Sequence, residues 1–170
     1  MEPKVSYEIT ACIIGIARNA GYIIKTAYRD PKKLDTRLKA DASVVTMADR
    51  AIHRLALDSM AREFPDIPVI GEEGSSAHKD AKKGLWINID EVDGTGALTL
   101  GVPTSLVMIA LMDKSQPIYS AIYNPFGNRM YVAQRGFGAH CNGITIRVKS
   151  PSNRGWSGLP PTGVQARCAP

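Results

Sequence analysis

The sequence predicts an α+β domain, and three observations carry that reading. Two amphipathic helical stretches come first, a series of short strand-like segments follows, and turn signals rich in Gly, Pro and Asn separate those segments. The expected architecture is two long helices packed on a mainly antiparallel sheet within residues 1–150. Residues 151–170 are crowded with Pro and Gly, show no apolar period, and are expected to form an irregular tail.

The first helix is expected over residues 6–29, where Ile9, Ile13, Ile16, Ala17, Ala20, Ile23, Ile24 and Ala27 recur at helical spacing. Asp30-Pro31 ends it, because a residue before proline is pushed out of helical geometry. A second helix should begin near Thr46. The hydroxyl of Thr46 can accept a free backbone N–H, and Asp49 places negative charge in the positive first turn. Ile52, Leu55, Ala56 and Ser59 mark its inner stripe, and Phe64-Pro65-Asp66 closes it.

From Pro68 the period shortens. Val69-Ile70 and Leu85 to Ile89 read as strands. Thr104 to Met112 is a near-continuous apolar run, expected to be a strand buried on both faces. Pro117 to Tyr123 and Arg129 to Ala133 add two strands joined through Asn124-Pro-Phe-Gly-Asn128. Asn142-Gly143 is a two-residue hairpin signal, with Ile144 to Val148 returning.

A length of 170 residues suits one domain with its own core. No stretch approaches the roughly 20 apolar residues of a membrane-spanning helix, so no membrane partner is expected. The N-terminus lacks the basic flank and apolar core of a signal peptide, and Cys12, Cys141 and Cys168 suit neither a disulfide framework nor a zinc site. A cytoplasmic location is the expectation. His53, His78 and His140 fall at no metal-ligand spacing and are read as surface or satisfied core.

Net charge is +5, but residues 50–100 net −3 while residues 101–170 net +6. The basic excess is diffuse and lacks interleaved aromatics, so nucleic acid is not the expected partner. The acidic middle is more informative. Gly71-Glu72-Glu73-Gly74 follows one short strand, and Asp90-Glu91-Val92-Asp93-Gly94-Thr95-Gly96 follows another. Carboxylates gathered past neighbouring strand ends repel one another unless they hold a hard cation such as Mg²⁺. The Gly-Thr-Gly beside them offers close backbone N–H groups to an anion. Paired acids in a loop are more often solvated surface charge, and Asp-Gly is also a common turn. The combination, not any single signal, points to phosphoryl chemistry.

The ordered set of segments resembles the inositol monophosphatase family, which includes the 3′(2′),5′-bisphosphate nucleotidases. Lys39-Ala-Asp41 with Val45-Thr-Met-Ala-Asp49 resembles the family's K-x-D…VT-x-AD, and Pro68-Val-Ile-Gly-Glu-Glu73 its strand ending in GEE. Trp86-Ile-Asn-Ile-Asp-Glu-Val-Asp-Gly-Thr95 resembles W-x-x-D-P-x-D-G-T. The likeness covers roughly the N-terminal half of such a protein. It implies a layered α/β sandwich of the sugar-phosphatase type.

The resemblance also implies roles. Glu72, Asp90, Asp93 and the Val92 carbonyl would hold metal, and Asp93, Gly94, Thr95 and Gly96 would meet the substrate phosphate. Glu72 and Thr95 would orient the attacking water, with Asp49 supporting Thr95. Two or three Mg²⁺ ions, Li⁺ inhibition, a small phosphorylated metabolite as ligand, and a homodimer all follow as expectations. The implied activity is Mg²⁺-dependent hydrolysis of an inositol monophosphate or a bisphosphate nucleotide. The alternative is an incomplete relative that keeps metal and phosphate binding without turnover.

Three departures bear on that choice. Glu91 stands where the family has proline, and Gly96-Ala-Leu98 replaces a polar-then-aromatic run. No acidic residue follows Asp113, so the family's distal metal-binding Asp has no counterpart, and Trp156 precedes Ser157.

Overall fold

The computed structural model describes residues 5–30, 37–38, 44–72 and 84–148. Lys39-Ala-Asp41, Glu73, His78, Cys168 and the tail 151–170 lie outside the described residues. The elements are α1 (Tyr7–Arg29), β1 (Arg37–Leu38), β2 (Val44–Val45), α2 (Met47–Glu63), β3 (Val69–Gly71), β4 (Leu85–Asp93), α3 (Thr95–Thr99), β5 (Leu106–Asp113), β6 (Gln116–Asn124), β7 (Arg129–Gln134), β8 (Gly138–Cys141) and β9 (Ile144–Ile146). Strands β3 to β9 form one seven-stranded sheet in sequence order, and β1 pairs with β2 separately. Only β3 and β4 run parallel within the larger sheet; every other neighbouring pair is antiparallel. The α+β expectation, two helices on a mainly antiparallel sheet, is what the chain forms.

The helices begin and end for local reasons. Ser6 caps α1 by accepting the Ile9 N–H, and Asp30, the residue before Pro31, leaves helical geometry at its far end. α1 then lies across β5 and β6, while α2 lies across β3 and β4. Ile13, Ile24, Ile52, Ile87 and Val107 lose all solvent contact in the layer between. None of the described helices is long and apolar enough to cross a membrane.

The run from Thr104 departs from expectation. The strand spans Leu106–Asp113, and its burial alternates: Val107, Ile109 and Leu111 are buried while their neighbours are half-buried. Only one face meets the helices. The sequence carries apolar residues at both parities (Met108, Ala110 and Met112 on the second face), so composition could not separate the two faces. The Asn142-Gly143 turn behaves as expected. Both residues have positive φ, 48° and 83°, which the tight hairpin between β8 and β9 requires.

Close approach explains one glycine. A Cβ on Gly21 of α1 would overlap the edge of the Tyr123 ring and lie 3.1 Å from Pro125 Cβ, so glycine lets the helix sit down on β6. Gly21→Ala is expected to lower stability by about 1–2 kcal/mol, because overlap outweighs the gain in helix propensity. A urea-unfolding midpoint at or above wild type would refute that packing argument.

Candidate functional site

Strand β4 carries three of the predicted site residues, Asp90, Val92 and Asp93, and its start is anchored by Trp86. That indole is buried and its Nε1 donates to the Lys114 carbonyl at 2.6 Å. The strand pairs regularly with β5 as far as Asp90↔Met108 and resumes at Asp93↔Leu106. One extra residue therefore sits on β4, which makes a bulge. Its effect is visible in burial, since Glu91 and Val92 are both buried although they are adjacent in sequence.

Asp90 and Asp93 were expected in a loop beyond the strand; β4 instead continues through both, interrupted by the bulge. The expectation failed because Asp-Glu-Val-Asp has little strand propensity, and pairing with β5 at Asp90 and Asp93 carries the strand through it. Asp90 is half-buried, and Asp93 is exposed. Gly94 follows in left-handed geometry, φ 85°, and its carbonyl accepts from Ser105 Oγ at 2.9 Å and from Leu98 N–H at 3.0 Å. The short helix α3 opens there without a side-chain cap. Gly96 is exposed and Thr95 half-buried, so the first amides of α3 lie near the surface.

The parallel pairing of β3 with β4 sets Gly71 opposite Ile89. Glu72, the next residue and exposed, leaves β3 at the same end at which Asp90 leaves regular pairing. Glu72, Asp90, the Val92 carbonyl and Asp93 are all hard oxygen donors, which fits the ligand chemistry of Mg²⁺ in kind. Among the described residues, no three His, Cys, Asp or Glu side chains come together as a metal-holding group.

What the structure does bring together is a hydrogen-bonded link from α2 to this segment. Asp49 is 4% exposed. Its Oδ2 accepts from the Thr46 N–H at 2.8 Å and from Thr46 Oγ1 at 2.6 Å, while Ala48 N–H donates to Thr46 Oγ1 at 3.2 Å. The predicted cap is thus a full capping box, with aspartate in the reciprocal position. The other oxygen, Oδ1, lies 3.2 Å from Thr95 Oγ1, and that hydroxyl is also 2.8 Å from the Val92 carbonyl. A hydroxyl has one proton, so Thr95 donates to Val92 or Asp49 at any moment, and the shorter contact is to Val92.

One pair escaped the sequence reading. His53 Nδ1 lies 2.7 Å from Glu91 Oε1, with the two side chains 16% and 2% exposed. Glu91, which stands where the family has proline, is buried in β4. The signal was present, because His53 sits one helical turn beyond Asp49, on the same face of α2. Desolvation by burial pushes the Cys12 thiol above its usual range, which favours the protonated form.

The chain matches the profile of the Inositol monophosphatase family over residues 6–163, and it belongs to that family. It is 37% identical over 123 residues to the 3′(2′),5′-bisphosphate nucleotidase CysQ of Shigella flexneri, covering 71% of this chain and 50% of that protein. It is 31% identical over 150 residues to the Nus factor SuhB of Pasteurella multocida, covering 88% and 54%.

Among solved structures, the suhB extragenic suppressor protein of Bartonella henselae superposes with a TM-score of 0.78 at 26% identity, covering 84% of this chain and 55% of that one. An IMPase/NADP phosphatase complexed with Mg²⁺ and phosphate superposes with a TM-score of 0.72 at 25% identity, covering 83% and 53%. The chain spans about half the length of these relatives.

Proposed function

We propose that this chain carries the metal- and phosphate-binding portion of a Mg²⁺-dependent phosphomonoester hydrolase acting on a small phosphorylated metabolite. An inositol monophosphate and a 3′(2′),5′-bisphosphate nucleotide are the two substrate classes. The single observation behind this reading is the link from Asp49 through Thr95 to the Val92 carbonyl. It ties a buried helix cap to a segment that presents two aspartates and a glycine-flanked set of amides. A solvated acidic surface loop has no need of such an anchor.

In this reading Glu72, Asp90, Asp93 and the Val92 carbonyl hold the cation. Bound there, Mg²⁺ supplies charge stabilisation at the phosphoryl group and lowers the pKa of attached water. The amides of Gly94, Thr95 and Gly96 orient the phosphate. Glu72 and the Thr95 hydroxyl align the attacking water, and Asp49 holds the Thr95 hydroxyl in the rotamer that faces it. Gathering the carboxylates around a cation offsets their mutual repulsion.

A second reading, binding without turnover, is favoured by the likeness to the Nus factor SuhB of Pasteurella multocida, a relative whose name is not that of an enzyme. One experiment separates the readings: Mg²⁺ binding by calorimetry, beside phosphate release from a phosphomonoester panel before and after EDTA. Release that EDTA abolishes and Mg²⁺ restores is the expected result. Binding without release selects the second reading, and absence of both overturns each.

A further inference from the structure

From the burial and contacts of three residues on three elements, we infer that Glu91 and His53 form a side-chain clamp. Seated over Gly71, it fixes the β4 bulge and so positions the Asp90–Asp93 segment. Glu91 is 1% exposed, and its Oε1 is 2.7 Å from His53 Nδ1, so a buried carboxylate on the bulge meets a helix side chain at hydrogen-bonding distance. A carboxylate acceptor assigns the proton to Nδ1. Gly71, the last residue of β3, completes the arrangement. A Cβ there would overlap Glu91 Oε1 and come 2.7 Å from His53 Nδ1. Glycine at this strand end leaves the space that the pair occupies.

The geometry explains why such a clamp belongs here. A bulge breaks the ladder, so backbone pairing with β5 does not hold residues 91 and 92 in register. Helix α2 touches the segment twice from one face: His53 meets Glu91 within the bulge, and Asp49 meets Thr95 beyond it. The stretch between is pinned at both ends by one rigid element. Where proline occupies position 91, the ring restricts φ and stiffens the chain there. This chain places the restraint in a side-chain pair instead. The structural part stands on its own; the consequence for metal binding rests on the proposed function. Groups that orient metal ligands from behind change metal affinity by about 10–100-fold when removed.

The test uses the full chain and compares wild type, His53→Ala, His53→Asn, Glu91→Ala and the double alanine variant. Amide hydrogen exchange at residues 90–95 is measured against residues 109–111 of the sheet core, and Mg²⁺ affinity by calorimetry. His53→Ala and Glu91→Ala are expected to accelerate exchange at 90–95 about tenfold or more, with the sheet core far less affected. The double variant should go no further than Glu91→Ala alone. His53→Asn, whose side-chain amide can still donate, should restore most of the protection. Mg²⁺ affinity should follow the same order.

Uniform acceleration across 90–95 and 109–111 would make the pair a general stabiliser and overturn the proposal. So would unprotected amides at 90–95 in the wild type. Selective loss of protection in a protein that binds no Mg²⁺ supports the clamp while refuting the phosphatase reading.

Discussion

Asp90→Asn is expected to lower Mg²⁺-dependent phosphate release by on the order of a hundredfold or more, with little change in stability. The substitution preserves shape, and the backbone pairing of residue 90 with Met108 does not depend on the side chain. What it removes, in the proposed site, is one unit of negative charge from an all-oxygen donor set. A hard cation binds a neutral amide oxygen far less strongly than a carboxylate. The apparent Mg²⁺ requirement should rise alongside the loss of rate, because the charge acts on binding as well as on the reaction. If the chain binds Mg²⁺ without turnover, the same variant should weaken that binding about tenfold or more. Release and binding both within twofold of wild type would remove Asp90 from the metal site. A large drop in thermal midpoint would instead make its role structural.

The second large effect concerns Asp49, where alanine and asparagine should part company. Asp49→Ala strips the acceptor from the Thr46 N–H and hydroxyl, and Thr46 has no solvent exposure. Unsatisfied buried donors and a lost cap should together cost about 3 kcal/mol. For a chain of this size that is a fall of roughly 6–12 °C in Tm. Asp49→Asn can turn its amide oxygen toward Thr46 and keep both of those bonds. Its NH₂ then donates to Thr95 Oγ1, which remains free to donate to Val92. The stability cost should be near 1 kcal/mol. The negative charge beside Thr95 is nevertheless gone, so phosphate release should fall about tenfold or more in a protein that still melts near wild type. Equal melting temperatures for the two variants would show that the cap hydrogen bonds contribute little. Unchanged release in Asp49→Asn would reduce Asp49 to a capping residue.

The helices were legible because their signals are local. Thr46 announces a start, Asp30-Pro31 announces an end, and the isoleucines of α1 repeat at the helical period. The Asn142-Gly143 hairpin was legible for the same reason, since few residues besides Asn and Gly adopt positive φ readily. The candidate site was visible as a list. Glu72, Asp90, Val92, Asp93, Gly94, Thr95 and Gly96 stand in family order, and the chain belongs to that family. Their arrangement was not visible. The bulge arises from pairing with β5, and a propensity-based reading ended the strand at Ile89. The facing of β5 was equally hidden, because its residues are apolar at both parities.

By itself, therefore, the sequence determined the two long helices and most strands of the larger sheet, which family the chain joins, and which acids are candidates for the site. Capping, periodicity and motif order act within a few residues or along the chain, so no folded structure is needed to read them. Only the tertiary structure decided that β4 runs on through Asp90 to Asp93 with an extra residue, and that Glu91 turns inward to His53. It also decided that Asp49 serves a helix cap and Thr95 together. Each of these depends on side chains 38 to 46 residues apart, or on strands whose register is set by burial. A buried carboxylate and a solvated one look the same in a sequence. Packing against α2 and the absence of a side chain at Gly71 make Glu91 the buried one.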